Sequence, residues 1–167
     1  MLFRSKEIFE QPHAILDTID SHLMDSHVFP HSFGHNSESI FNRIDRVQIV
    51  ACGTSYHAGL VGCCWIEAIA GMPCQIEIAS ENRYRQAVTE PNCLFVALSQ
   101  SGETADTLAA LRQAKKRGYA ATLGISNVPQ SSLVRESDLV FLTRAGTEIG
   151  VAATKTFTTQ LVALLLL

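Results

Sequence analysis

From Val47 onward the chain alternates short apolar runs with polar turns and stretches of helical spacing. VQIVA (47–51) reads as a strand, followed by the turn CGTS and an apolar helical stretch from about Tyr56 to Ala70. CQIEIA (74–79) reads as a second strand, with a short helix near Glu81–Gln86. CLFVALS (93–99) is nearly all apolar, which predicts a strand buried on both faces. The spacing predicts a helix over Glu103–Arg117, with Leu108 and Leu111 turned inward. ATLGIS (121–126) and DLVFLT (138–143) complete five strands, and GTEIGVAATK leads into a final helix. Strands alternating with helices imply βαβ units, an α/β fold with a parallel sheet covered on both faces. In such sheets ligands bind beyond the carboxyl ends of the strands, near a switch in strand order.

Ahead of the first strand, KEIFEQPHAILDTIDSHLMD (6–25) reads as a helical lead-in. Ile15, Ile19 and Leu23 share one stripe, and Pro12 is tolerable near a first turn. VFPHSFGHNSESIFNRID (28–45) reads as a loop and a short helix. The expected division is a lead-in over residues 1–45 and one domain over 46–167. A length of 167 residues suits a single core. The final LVALLLL breaks off in mid-helix by pattern, so the chain reads as a piece of a longer protein.

Composition narrows the function classes. Apolar residues at 47% and charged residues at 17% describe a soluble globular domain. The net charge of -3 provides no basic footprint, so no nucleic-acid partner is expected. The one short basic run, KKR (115–117), closes a helix where cations suit the dipole. No apolar run has membrane-span length and the N-terminus has no signal-peptide core, so no membrane association is expected. Five cysteines without CxxC spacing point to reduced thiols in the cytoplasm, with neither a zinc site nor a disulfide framework.

The candidate chemistry lies at strand ends. CGTS (52–55) and SQSGET (99–104) each join a strand to a helix, and GTEIGVAATK (146–155) precedes the last one. A helix N-terminus offers free N–H groups and a positive dipole end, glycine permits close approach, and hydroxyls add donors. Two readings stand for these residues, helix capping and an anion cradle. A cap needs one hydroxyl, whereas Thr54, Ser55, Ser99, Ser101 and Thr104 should converge, which favours the cradle. Neither cluster fits the nucleophile elbow, and no phosphate-loop or dinucleotide fingerprint is present. His13, His22, His27, His31 and His35 read as solvated, and His57 as a helix-surface residue. Lys155 either approaches the anion or faces solvent. Glu103 and Glu148 read as stabilisers of a helix start or loop rather than proton carriers.

CGTSYHAG, EIASENRYR, ALSQSGETADTLAALRQAKKRGY, SSLVRESD and AGTEIGVAATKTFTTQL together closely resemble the first sugar-isomerase (SIS) domain of the glucosamine-6-phosphate synthase family, the glutamine:fructose-6-phosphate aminotransferases. The resemblance covers roughly Lys6 to Leu167. It implies a three-layer α/β/α sandwich with a flavodoxin-like five-stranded parallel sheet. It also implies a site for fructose 6-phosphate or glucosamine 6-phosphate, with no cofactor and no metal. By motif, Ser55, Ser99, Gln100, Ser101 and Thr104 match the phosphate set, with Gly102 inside their loop. Thr54 matches a ligand of the sugar hydroxyls, Gly53 allows close approach, and the backbone of Val151 matches a lining position. In that family a glutaminase domain and a second SIS domain accompany this one, and the isomerising residues lie outside it. The resemblance therefore implies a homodimerising substrate-binding part that does not catalyse alone. Two other readings are a phosphosugar-sensing regulatory SIS module and a freestanding SIS isomerase.

Overall fold

The computed structural model describes residues 2–25, 27–29, 31–86, 88–89, 91–150 and 153–167. A small antiparallel pair, β1 (Leu23–Met24) and β2 (His27–Val28), precedes the main sheet. That sheet comprises β3 (Arg46–Ala51), β4 (Cys74–Ile78), β5 (Cys93–Ser99), β6 (Ala121–Ser126) and β7 (Leu139–Leu142). All pairings are parallel, in the order β4-β3-β5-β6-β7. Every residue of β5 and β6 is buried, as their place in the middle of a doubly covered sheet requires. The edge strand β7 instead alternates buried and half-buried positions. The helices are α1 (Leu2–Asp20), α2 (Ser37–Phe41), α3 (Gly53–Trp65), α4 (Ala79–Asn82), α5 (Ala105–Arg117), α6 (Ser132–Glu136) and α7 (Lys155–Leu166).

The two-residue period of the strands divides the core. Ile49, Ala51, Leu94, Val96, Leu98, Leu123, Ile125 and Phe141 meet Ala58, Cys63, Ala163 and Leu164 of α3 and α7 on one face. Val50, Phe95 and Ala97 meet Ala79, Leu108, Leu111 and Leu133 of α4, α5 and α6 on the other. The three-layer α/β/α sandwich is the architecture expected from the sequence, with five strands in the predicted places. A Cβ on Gly59 would meet Ile76 Cδ1 at 2.3 Å, and one on Gly62 would meet Leu164 Cδ1 at 2.7 Å, so α3 lies unusually close to its neighbours. It continues as a π-helical turn, Ile66–Ala70, stopped by Gly71 in the left-handed region. Among the described residues no helix is long and apolar enough to cross a membrane.

The lead-in departs from expectation. Helix α1 starts at Leu2, so Pro12 stands in its interior rather than near its first turn. Proline has no N–H for the carbonyl of Ile8, and Gln11 Nε2 donates to that carbonyl at 3.2 Å instead. The expected stripe of Ile15, Ile19 and Leu23 is only half-buried. The buried face is Glu7, Ala14 and Thr18, continued by His22, while Ile8, Phe9 and Leu16 are exposed. The rim of the sheet and the start of α7 offer backbone polar groups, so a polar helix face packs there. Thr18 Oγ1 donates to the carbonyl of Thr143.

His22 is not solvated. Its ring stacks on Phe141 with centroids 3.9 Å apart, and Nε2 lies 3.2 Å from the Leu142 carbonyl. Burial holds this imidazole below its ordinary value of 6.5 and outweighs the Leu142 carbonyl, with Arg144 adding to the depression. The unfolded chain therefore binds this proton at a higher pH than the folded one, and stability rises with pH across the interval between the two values. Acidification from pH 7.5 to 5.5 is expected to lower the denaturation midpoint, and His22→Gln to flatten that slope. Urea titrations at three pH values check it.

Candidate functional site

Strand order reverses between β3 and β5. The connection through α3 runs outward to β4, and the next returns past β3 to β5. A crevice opens where the two connections part, at the carboxyl ends of β3 and β5. It holds a cavity of about 220 Å³ lined by Thr54, Ser55, Ser99, Gln100, Ser101 and Thr104. Six of the nine positions proposed from sequence thus come together around one space. Cys52 and Leu98 form its floor, and Glu148, Gly150 and Ala153 a third wall.

Local geometry separates capping from ligand duty. Ser99 Oγ accepts the N–H of Gly102 at 3.1 Å, and Ser101 Oγ accepts that of Glu103 at 3.2 Å. These oxygens fold the loop; Ser101 keeps its hydroxyl proton to donate, and the Ser99–Thr104 pair keeps one between them. Thr104 is the N-cap of α5, yet its side chain makes no cap; its hydroxyl lies 3.0 Å from Ser99 Oγ. The N-cap of α3 is Cys52, also without a side-chain cap. Both thirteen-residue helices therefore present uncapped starts, with hydroxyls turned to the cavity. No lysine or arginine stands among the lining residues. The arrangement suits an anion held by N–H and O–H donors.

Two positions are placed differently. Gly102 is buried behind the loop, outside the lining, with φ +65. A Cβ there would meet Ser131 Oγ at 2.1 Å and Ser126 Oγ at 2.8 Å, so packing and the turn both require glycine here. Gly53 begins α3 with φ +56 and is exposed, also outside the lining. Val151 lies outside the described residues. Lys155 takes neither expected orientation: its side chain is 6% exposed, and Nζ pairs with Glu10 at 2.8 Å. His57 is exposed on α3.

The carboxylates act on the backbone. Glu103 accepts the N–H of Ser132 at the start of α6 at 2.7 Å, a bond that holds its carboxyl below the ordinary range. Glu148 accepts the N–H of Thr154 at 2.7 Å and the hydroxyls of Thr154 and Thr156, fastening the start of α7. Sequence reasoning missed Gln160, whose Nε2 donates to Ser55 Oγ at 3.0 Å, and Glu7, described below. A signal existed for the first. Lys155, Thr156, Thr159 and Gln160 form a polar stripe on an otherwise apolar helix, and all four are buried. Among the described residues no group of three or more His, Cys, Asp or Glu could hold a metal ion.

A model of the family described as SIS domain matches residues 40–167. Over 165 residues, 99% of this chain, the sequence is 61% identical to the glutamine–fructose-6-phosphate aminotransferase (isomerizing) of Pseudomonas syringae pv. tomato, and it spans 27% of that protein. The protein of the same name from Haemophilus influenzae is 58% identical, with the same coverage. The structure of the C-terminal domain of glucosamine-fructose-6-phosphate aminotransferase from Francisella tularensis matches with a TM-score of 0.95 at 54% identity. That match covers 98% of this chain and 46% of the other. The chain thus spans about a quarter of the length of these curated relatives.

Replacing Gly102 by alanine is expected to cost about 2 kcal/mol or more, from the left-handed backbone and the clash with Ser131 together. A lowered melting temperature in thermal denaturation checks it.

Proposed function

The chain belongs to the SIS domain family, and from that premise we propose that its cavity binds the phosphate of a hexose 6-phosphate. The substrate is fructose 6-phosphate or its amino product glucosamine 6-phosphate, and the chain is the substrate-binding part of a glutamine–fructose-6-phosphate aminotransferase. One observation carries the reading. Five hydroxyls from two loops, Thr54, Ser55, Ser99, Ser101 and Thr104, line one crevice at the uncapped starts of α3 and α5. Donors of this kind match a phosphate dianion, whose oxygens accept and never donate. In this reading Ser55, Ser99, Gln100, Ser101 and Thr104 hold the phosphate. Thr54 faces the sugar together with Glu148, Gly150 and Ala153.

The chemistry of the aminotransferase needs ammonia delivered to C2, an imine, and proton transfer between C1 and C2. The cavity wall offers hydroxyls, amides and Glu148, whose two oxygens already hold three protein donors. This chain therefore grips and orients the substrate, while a glutaminase domain and a second SIS domain of a longer protein supply ammonia and isomerisation. Residues 1–45 are the linker from the former, and 46–167 the sugar-phosphate domain. Cysteines outside any disulfide at all five positions fit a cytoplasmic protein. Exposed Leu60, Ile69 and Leu165 supply apolar surface for a second copy in a homodimer.

Calorimetric titration of the purified chain is expected to show binding of fructose 6-phosphate, competition by inorganic phosphate, and no binding of fructose. Equal responses to the phosphorylated and plain sugar, or none to either, would sink the reading. Ser101→Ala and Thr104→Ala should each weaken the phosphosugar by about tenfold or more, as loss of a hydrogen bond to a charged group predicts.

A further inference from the structure

The third wall of the cavity has no secondary structure of its own. The described part of the segment joining β7 to α7, residues 143–150 and 153–154, forms neither helix nor strand. Its backbone groups find side-chain partners instead. Asn127 Oδ1 accepts the N–H of Ala145 at 2.7 Å, and Asn127 Nδ2 donates to the carbonyl of Gly146 at 2.7 Å. Glu148 serves the far end at Thr154. The middle of the segment is held from the opposite end of the chain. Glu7, on α1, accepts the N–H of Ile149 at 2.6 Å and that of Gly150 at 2.9 Å, both on Oε1.

Glu7 is 3% exposed, and its second oxygen takes no bond from any described residue. A buried carboxylate is costly unless its charge is met. Here the two N–H groups, Gly150 first and then Ile149, hold it below the ordinary carboxylate range against burial, with Lys155 assisting and Glu10 opposing. A cavity of about 290 Å³ beside it is lined by Lys6, Glu7, Glu10, Thr147, Ile149 and Lys155, and so is separate from the sugar cavity. Glu7 therefore does not line the crevice. It touches the backbone of Gly150, which lines that crevice, while the Ile149 side chain, 63% exposed, gives no anchorage of its own.

Resting on the phosphosugar reading above, we propose that Glu7 is a positioning residue of the sugar site. Its carboxylate fastens Ile149 and Gly150 so that the 148–150 wall stands against the sugar. The phosphate loops after β3 and β5 are built without it. Two contributions to affinity are thereby separated: the loops grip the phosphate, and the lead-in helix sets the sugar wall. The lead-in is on this account part of the site and more than a tether. Glu10 reinforces it by pairing with the buried Lys155 at the first residue of α7.

The separation makes the test specific. Fructose 6-phosphate and inorganic phosphate are titrated into the full 167-residue chain and its Glu7→Gln and Glu7→Ala variants, with melting temperatures recorded. Affinity for fructose 6-phosphate is expected to fall about tenfold in Glu7→Ala and less in Glu7→Gln, whose neutral amide oxygen still accepts, while inorganic phosphate stays within about twofold. The amide protons of Ile149 and Gly150 should exchange faster in both variants. Parallel loss of both ligands would show a merely structural role and overturn the inference. So would an unchanged fructose 6-phosphate affinity in both variants of a wild type that binds it. A wild type that binds no phosphosugar overturns the phosphosugar reading, and this inference with it.

Discussion

The reversal of strand order between β3 and β5 is the constraint on which the rest depends. Every parallel connection must leave the carboxyl end of one strand and return to the amino end of another. Where successive connections leave in opposite directions, no crossover covers the gap between their starting points. Helix α3 packs on one face of the sheet and α5 on the other, so their N-termini flank that gap from two sides. Residues entering it cannot be large and apolar without exposing that surface, and cannot be anionic without opposing two dipoles. Small hydroxylated residues satisfy both conditions. The hydroxyl-rich character of the crevice follows from topology before any particular ligand is considered.

Carboxylates do the complementary work around the rim. Glu103, Glu148 and Glu7 each spend their charge on backbone N–H groups that regular structure leaves unserved, at α6, at α7 and in the 149–150 segment. Glu10 neutralises Lys155, which would otherwise be a buried cation. An acidic residue near an anion site can suggest proton transfer; here each one fixes backbone geometry. The same need explains the inverted helix α1. Its polar face packs inward because the surface it meets is a fringe of backbone donors and acceptors, leaving Ile8, Phe9 and Leu16 outside.

Much of the fold was legible because the signals are local and periodic. CLFVALS and ATLGIS matched their strands to the residue, the first as a nearly continuous apolar run and the second as a short run bounded by turns. Boundaries were less legible where a turn draws on side chains, as at α5, which begins at Ala105 after Ser99 and Ser101 have folded the loop. The lead-in helix misled because apolar periodicity reports a stripe but not which side faces the protein. Gly102 reads from sequence as a place of close approach to a ligand, and the crowding from Ser131 and Ser126 behind it was visible only in the structure.

By itself the sequence determined the α/β class, the five strands, and the two hydroxyl-rich turns at strand ends. Each strand and each turn is written in its own consecutive residues, and the class in their alternation. Only the tertiary structure decided which strand ends lie side by side, that Gln160 reaches Ser55 across 105 positions, and that Glu7 reaches Gly150 across 143. Those pairings depend on how the chain returns upon itself. A side chain's partner across such a distance leaves no mark on the residues between them.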